Sequence, residues 1–282
     1  MPLTSPRLWI VAMPLGNPGD LSPRARGILE NAELILAEDT RRAVQLCRLC
    51  GIRDLQGRRF LSFYEHNEAE RQEEVLRMLR EGRDLALISD AGTPLLADPG
   101  YRLVRACRKE GLPVSPVPGP SAPAAALSAA GIAPLPHTFL GFLPRDTAGR
   151  EALLESFARV PGSLIFFERK DRLKESLALA ARILGPRDLT VCRELTKTHE
   201  EFILIRLEDS AGLPDELLGE ITVLIGPPEV TERTPRDEVE NLLRAELAQG
   251  GRPREVARRV QSAARGWSGK ELYALIPAVK TT

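Results

Sequence analysis

The sequence of 282 residues predicts an α/β protein of two domains, followed by a small helical extension at its C-terminal end. In the first part of the chain, short apolar runs alternate with amphipathic segments, which is the pattern of a mainly parallel sheet whose strands are connected by helices. In the second part, some strand-like runs follow one another directly, which indicates an antiparallel component. The last part is helical in pattern throughout. We therefore predict domains over residues 1–118 and 119–228 and the extension over 229–282.

The first domain is predicted to hold five strands with a helix in each connection. The strands cover residues 8–12, 34–37, 60–64, 85–88 and 114–117. Ser22 caps the first helix and Pro23 occupies its first turn, while Gly51 stops the second helix. The third and fourth helices cover residues 70–81 and 101–110, so that each strand leads through a helix to the next.

The second domain begins with an Ala- and Pro-rich helix over residues 121–130, which Ser121 caps and Gly131 ends. Further helices are predicted over residues 148–159 and 173–184. The strands of this domain cover residues 139–142, 164–167, 189–192, 201–207 and 221–225. We expect a mixed sheet, because a helix does not separate every pair of consecutive strands.

The extension is predicted to be a small bundle of three helices. They cover residues 235–248, 253–264 and 268–275. The third begins with Ser268 and carries Glu271 three residues later, which is the spacing of a capping box. Prolines flank the connection to the preceding domain.

Composition and charge restrict the classes of protein that fit. Hydrophobic residues make up 43% and charged residues 28%, as in a soluble globular protein, and the 39 basic residues balance 39 acidic ones. The first apolar run ends at Pro14, is too short to span a membrane and lacks the features of a signal peptide, so we expect a cytoplasmic protein without a membrane partner. The four cysteines, Cys47, Cys50, Cys107 and Cys192, show no disulfide framework, and we interpret them as structural thiols rather than metal ligands.

Three loops that follow predicted strands share an unusual content of proline and glycine. They cover residues 13–20, 89–100 and 118–122. Because the carboxyl ends of parallel strands meet at one edge of a sheet, where open α/β sheets bind ligands, the three loops predict one shared pocket. Taken singly, each loop also fits an ordinary connection between a strand and a helix.

The order and spacing of several short motifs identify a family resemblance. The motifs are Pro14-Leu15-Gly16-Asn17, Ala37-Glu38-Asp39-Thr40-Arg41, Tyr64-Glu65-His66-Asn67, Ser89-Asp90-Ala91-Gly92-Thr93-Pro94, Asp98-Pro99-Gly100, Pro118-Gly119-Pro120-Ser121-Ala122, Arg193-Glu194-Leu195-Thr196-Lys197 and Lys270-Glu271-Leu272-Tyr273. Together they resemble the tetrapyrrole-methylase superfamily over nearly the whole chain. Within it, the match is closest to the branch that methylates the 2′-hydroxyl of a cytidine ribose in 16S rRNA. One position departs from the family pattern, because Asp171 stands where relatives carry a histidine.

The resemblance implies a two-domain class III methyltransferase fold, with S-adenosyl-L-methionine between the domains and a homodimeric assembly. No Gly-x-Gly-x-x-Gly fingerprint follows the first strand. Matching the superfamily's cofactor positions gives Leu15, Asp90, Thr93, Leu96, Ser121, Ala122, Phe167 and Leu195. Leu15, Leu96 and Phe167 fit equally well as core residues, and Ser121 as a helix cap. Asp90 and Thr93 are the least explained by packing, because polar side chains in such a loop need partners.

Methylation of a ribose hydroxyl requires a group that takes up the hydroxyl proton. Our hypothesis is that Glu38, Glu65 or His66 serves this role, because each follows a predicted strand near the same pocket. The alternative is that His66 forms a hydrogen bond with the backbone and that Glu38, next to Asp39, stabilises a helix start.

An RNA substrate requires cations near the mouth of the pocket, because phosphate contacts dominate RNA affinity. The candidates are Arg41, Arg42, Arg145, Arg169, Lys170, Arg193 and Lys197. The extension carries a second basic set, Arg252, Arg254, Arg258, Arg259, Arg265 and Lys270. This second set is either an RNA-facing element or the solvated side of a small bundle.

Three functions are weighed for this sequence. The favoured one is methylation of 16S rRNA, with the free RNA or the 30S subunit as partner and no DNA partner. The second is methylation of a tetrapyrrole or another small molecule with the same cofactor, and the third is an RNA-binding module without activity. The motifs around Glu38 and His66 and the helical extension favour the first over the second, whereas affinity for the cofactor separates the third from both.

Overall fold

The computed structural model describes residues 6–52, 59–64, 66–214, 216–229 and 233–280. The chain divides into two compact units, with the division after Pro228. The first unit contains both predicted α/β regions, each built around its own sheet. The boundary that we place between them at residue 118 stays a prediction.

The first sheet is parallel throughout, as the sequence predicted. Its strands are β1 (Leu8–Val11), β2 (Leu34–Ala37), β3 (Arg59–Ser62), β4 (Leu85–Ile88) and β5 (Val114–Val117), in the spatial order β3-β2-β4-β1-β5. Strand β3 lies slightly earlier than predicted because the Asn67 side chain ends it. The Asn67 Oδ1 atom accepts the Tyr64 backbone N–H at 2.8 Å, and its Nδ2 group donates to the Ser62 carbonyl.

Helices cover both faces of this sheet. They are a 3-10 turn (Pro18–Asp20), α1 (Pro23–Asn31), α2 (Thr40–Leu49), α3 (Glu68–Arg80) and α4 (Tyr101–Lys109). The Ser22 hydroxyl caps α1 by accepting the Ala25 backbone N–H at 3.1 Å, as predicted. One apolar cluster joins α1 and α2 to the sheet and another joins α3 and α4, because successive side chains of a strand point to opposite faces. Buried on both faces, the central strands are almost entirely apolar.

The second sheet is mixed, which confirms the predicted antiparallel component. It contains β6 (His137–Phe142), β7 (Ser163–Glu168), β8 (Asp188–Arg193), β9 (Glu201–Arg206) and β10 (Ile221–Ile225), in the order β6-β7-β10-β8-β9. Strands β6 and β7 pair in parallel, and the pairs β7–β10, β10–β8 and β8–β9 are antiparallel. The accompanying helices are α5 (Ala122–Ala129), α6 (Thr147–Phe157), α7 (Leu173–Leu184) and a 3-10 segment (Leu207–Gly212). Helices α6 and α7 pack on one face and α5 on the other.

The second unit is a bundle of three helices around a small apolar core. They are α8 (Arg236–Ala248), α9 (Pro253–Gln261) and α10 (Gly269–Lys280). The predicted capping box is present, because Glu271 N–H donates to Ser268 Oγ at 3.2 Å and Ser268 N–H donates to Glu271 Oε2 at 2.8 Å. Helix α10 continues beyond the predicted end at residue 275 and includes Pro277, which removes a single backbone donor from the last turns. Among the described residues, no helix has the length and apolar character needed to cross a membrane.

Candidate functional site

A cavity of about 670 Å³ opens at the carboxyl edge of the first sheet. All three loops that the sequence assigned to one pocket contribute to it, through Leu15 after β1, residues 90–93 and 96–98 after β4, and Ser121 after β5. The second sheet supplies the opposite wall. Its lining residues are Phe142, Phe167, Glu168, Arg169, Lys170, Asp171, Gly219, Glu220, Ile221 and Thr222.

Backbone hydrogen bonds tie the three loops to one another. Met13 N–H donates to the Gly92 carbonyl at 2.8 Å, and Gly92 N–H donates back to the Met13 carbonyl at 3.0 Å. The Thr93 hydroxyl donates to the Pro120 carbonyl at 2.9 Å. Gly92 has a φ of +69°, and an added Cβ would lie 3.1 Å from Leu15 Cδ2. The positive φ therefore favours glycine here, and an added side chain would also crowd Leu15.

The Ser121 hydroxyl is not used to cap α5. Ser121 occupies the N-cap position, but its side chain forms no capping hydrogen bond. The first backbone N–H groups of a helix have no partners within the helix, so this end of α5 offers donors to a bound molecule. The interpretation of Ser121 as a mere cap is therefore wrong.

Apolar side chains form the remaining walls. Phe167 packs against Phe142 with ring centroids 5.3 Å apart. Leu96 is 44% exposed, so it is not a core residue. Leu195, by contrast, is buried in the cluster against which Leu15 packs, and it supports the wall from behind instead of lining the cavity.

Asp90 is held by an ion pair on the rim of the cavity. Its Oδ2 atom accepts a hydrogen bond from Arg42 at 3.0 Å, and this contact raises the pKa of the Arg42 guanidinium. Arg42 lies in the first turn of α2, and Asp39 caps this helix because its carboxylate accepts the backbone N–H groups of Arg41 and Arg42. These backbone hydrogen bonds lower the pKa of Asp39. The first turn of α2 thus places Arg42, a predicted RNA-binding residue, in contact with Asp90, a predicted cofactor-binding residue.

On the opposite wall, the buried carboxylate of Glu168 organises the turn after β7. Its Oε1 atom accepts hydrogen bonds from the Arg172 guanidinium at 2.5 Å and the Arg169 backbone N–H at 2.8 Å. Its Oε2 atom accepts the Ser176 hydroxyl at 2.6 Å. The turn presents Arg169, Lys170 and Asp171 to the cavity. Asp171 pairs with Arg169 at 3.2 Å, so the position where relatives carry a histidine holds an ion pair in this chain.

The three proton-acceptor candidates do not line the cavity where the structure describes them. Glu38 is exposed near the rim, and His66 is exposed with its ring edge-on to Tyr64 at 6.3 Å. Glu65 lies outside the described residues. Sequence reasoning missed Asp98, which lines the cavity within the loop after β4. The available signal was its place in a loop already assigned to the pocket.

The basic candidates separate into three groups. Arg42, Arg169 and Lys170 line the cavity, whereas Arg41 and Arg145 are exposed away from its lining. Arg193 pairs with Glu201 at 2.5 Å. Lys197 bridges Glu194 at 3.0 Å and Glu220 at 2.9 Å.

The aliphatic part of Lys197 covers Gly16 in the first loop. A Cβ added at Gly16 would lie 2.2 Å from Lys197 Cγ. Glu194 and Thr196, on either side of Leu195, have positive φ values of 51° and 66°, which L residues adopt at a cost. This segment therefore brings the second sheet into close contact with the loop after β1.

The thiols lie in the protein interior. All four cysteines are buried and none forms a disulfide within the described residues; burial raises the pKa of Cys107 to about 11 and that of Cys192 to about 12. Within the described ranges, no group of three or more His, Cys, Asp or Glu side chains is arranged to hold a metal ion.

Comparison with known proteins gives a consistent family. Residues 7–211 match the family described as Tetrapyrrole (Corrin/Porphyrin) Methylases. The ribosomal RNA small subunit methyltransferase I of Mesorhizobium japonicum is 44% identical over 236 residues, covering 82% of this chain and 79% of the relative. The protein of the same name from Micromonospora olivasterospora is 39% identical over 267 residues, covering 92% and 84%.

A solved structure has the same fold at lower identity. The uroporphyrin-III C-methyl transferase from Thermus thermophilus, complexed with S-adenyl homocysteine, aligns with a TM-score of 0.55 and 22% identity. The alignment covers 78% of this chain and 97% of that one. At this identity the likeness establishes the fold of the two sheets.

Proposed function

Because the chain belongs to the ribosomal RNA small subunit methyltransferase I family, within the tetrapyrrole methylases, we propose that it methylates the 2′-hydroxyl of a cytidine ribose in 16S rRNA. S-adenosylmethionine is the proposed methyl donor. The observation that carries the proposal is a cavity of ligand size with cationic side chains on its rim, in a chain about 40% identical to relatives of that name. We further propose the 30S subunit as the acceptor, a homodimer as the assembly and the cytoplasm as the location.

The residues of the cavity fit S-adenosylmethionine. A neutral adenine and a zwitterionic amino acid need backbone donors and acceptors beside apolar walls, and the tied loops and Phe167 supply both. We assign Leu15, Asp90, Thr93, Leu96, Ser121, Ala122 and Phe167 to cofactor contacts, with Leu195 in support behind the wall. When bound, the cofactor supplies an electrophilic methyl group on a sulfonium.

The side chains of this cavity then have two tasks. The apolar residues Leu96, Phe142 and Phe167 exclude water from the reacting atoms. Arg42, Arg169 and Lys170 attract RNA phosphates to the mouth and so align the ribose with the methyl group. Arg41, Arg145, Arg193 and Lys197 are proposed as flanking RNA contacts.

The function is tested with purified protein, labelled S-adenosylmethionine and undermethylated 30S subunits. We expect label on the ribose of a single cytidine of 16S rRNA, located by nuclease digestion and mass spectrometry. Subunits that already carry the methyl group serve as the control and should remain unlabelled. Label on a porphyrinoid instead of RNA would contradict the proposal and favour the small-molecule alternative.

Cofactor binding should depend on Gly92. The change Gly92→Ala forces a side chain into a left-handed conformation and against Leu15, and we expect about tenfold weaker binding of S-adenosylmethionine. Isothermal titration calorimetry measures this. Gly111→Ala is the matched control, because Gly111 also has a φ of +69° but lies outside the cavity with open space around its Cα. Equal affinities of the two variants would count against the assignment.

RNA binding should depend on the cations of the turn after β7. The double change Arg169→Gln and Lys170→Gln removes two charges at the cavity, and we expect a salt dependence of 30S binding that is shallower by up to about 1.5 in log–log slope. Filter binding across a salt series measures the slope. The control is Arg102→Gln with Lys109→Gln, which removes two exposed charges from α4 and should leave the slope unchanged.

A further inference from the structure

Asp98 is a carboxylate in the cavity that the proposed function has not yet used. It is half-buried, and its side chain lines the same cavity as Ser121 and Phe167. Within the described part of the chain, its carboxylate forms no hydrogen bond or ion pair, whereas Asp90 in the same loop is paired with Arg42. A carboxylate that lines a ligand cavity and is held by no other described side chain is available to a bound molecule.

The loop that carries Asp98 contains several residues with positive φ values. Leu95 and Ala97 have positive φ values of 72° and 71°, in the left-handed region that L residues adopt only at an energetic cost. Gly100 closes the loop with a φ of +120°, and an added Cβ would lie 2.6 Å from Leu87 Cδ2. Such strain persists only where the surroundings over-determine the loop, and it concentrates at functional sites.

The surroundings of Asp98 disfavour its negative charge. Burial is the main cause, followed by the negative charges of Glu38 and Asp90, and together they raise the pKa of Asp98 to about 7. The other charged side chains that line the cavity are Arg42, Glu168, Arg169, Lys170, Asp171 and Glu220. A group with this proton affinity takes up and releases protons efficiently near neutral pH.

We propose that Asp98 is the catalytic residue that accepts the ribose 2′-hydroxyl proton during methyl transfer. In this step, the hydroxyl oxygen forms a bond to the methyl carbon while the bond from that carbon to sulfur breaks. Sulfur keeps the electron pair, and the proton passes to a carboxylate oxygen of Asp98 and then to solvent. The proposal rests on the proposed function and deepens it.

The first test compares the wild-type protein with Asp98→Asn in single-turnover methylation of 30S subunits at saturating cofactor. In the wild type we expect the rate to fall tenfold per pH unit below the pKa that Asp98 has in the complex and to level off above it. Asp98→Asn should lower the plateau rate about 100-fold and abolish this transition, while the Kd for S-adenosylmethionine changes by less than about threefold. Asp209→Asn, the same change at an exposed aspartate outside the cavity, is the matched control and should reproduce the wild-type profile.

The second test needs neither cofactor nor RNA. Carbon-13 NMR of the carboxyl groups, assigned through Asp98→Asn, should show Asp98 titrating with a pKa of about 7 in the free protein. Glu38→Gln removes one of the neighbouring negative charges and should lower that midpoint, and the acid limb of the rate profile should shift in the same direction.

The outcomes separate this inference from the proposed function. An unchanged rate and pH profile in Asp98→Asn, with an active wild type, would overturn the role of Asp98 and leave the function standing. A Kd raised tenfold or more with the rate retained would instead make Asp98 a counter-charge for the cofactor. A free-protein midpoint near 4 would show that the surroundings do not raise the pKa of Asp98, and would overturn that part of the argument. A wild type that methylates no RNA would overturn both proposals.

Discussion

Replacement of Glu168 by alanine is expected to lower the free energy of unfolding by about 3–5 kcal/mol, because it leaves buried partners without their charge. The Glu168 carboxylate is fully buried and accepts hydrogen bonds from Arg172, Ser176 and the Arg169 backbone. Once it is removed, the Arg172 guanidinium and the Ser176 hydroxyl remain in the interior without an equivalent acceptor. For a unit of this size, the melting temperature should fall by about 10 °C.

Urea unfolding followed by circular dichroism measures the effect of Glu168→Ala. The matched control is Asp171→Ala, since Asp171 lies in the same turn and also pairs with an arginine, but in solvent. Exposed pairs contribute about 0–1 kcal/mol, so this control should be nearly neutral. A loss below about 1 kcal/mol for Glu168→Ala would show that the buried network does not support this wall of the cavity.

Replacement of Arg187 by methionine is expected to cost about 3 kcal/mol. The Arg187 side chain is 1% exposed and donates to the carbonyls of Leu184, Ala158 and Gly226, at 3.0, 2.6 and 3.5 Å. Methionine fills much of the volume but leaves these buried acceptors unpaired, at about 1–3 kcal/mol each. Relief from burying a charge offsets part of that loss; the same burial lowers the pKa of Arg187.

Arg182→Met is the control for this prediction. Arg182 is an exposed residue of α7 that pairs with Glu151 at 2.8 Å, so its loss should cost less than about 1 kcal/mol. Thermal unfolding of both variants at one pH measures the difference. Similar melting temperatures would mean that the three carbonyls find other donors when Arg187 is absent.

Most of the fold follows from local sequence signals. Ser22, Pro23 and the pair Ser268 and Glu271 mark helix starts that the structure contains, because capping depends on residues only a few positions apart. The shifted bounds of β3 and the greater length of α10 could not be predicted from local sequence signals. The first depends on the Asn67 side chain folding back, and the second on a helix tolerating Pro277 near its end.

The location of the cavity could be predicted from the sequence, but the side-chain contacts within it could not. Three turn-rich loops after parallel strands meet at one edge by geometry alone, so the sequence located the pocket. The ion pair of Asp90 with Arg42 and the bond of Thr93 to Pro120 join segments distant in the chain, and no local pattern encodes them. The raised pKa of Asp98 was not predictable for the same reason, since it arises from burial, from Glu38 in the loop after β2 and from Asp90.

The contact between Gly16 and Lys197 restricts how this protein can diverge. A side chain at position 16 would collide with the stem of Lys197, so a larger residue there is accommodated by moving or shortening the side chain at position 197. A shorter residue would in turn leave Glu194 and Glu220 as neighbouring carboxylates without their shared cation. The four positions are thus expected to change together, and their covariation in an alignment of relatives would show that this contact between the loop after β1 and the second sheet is maintained.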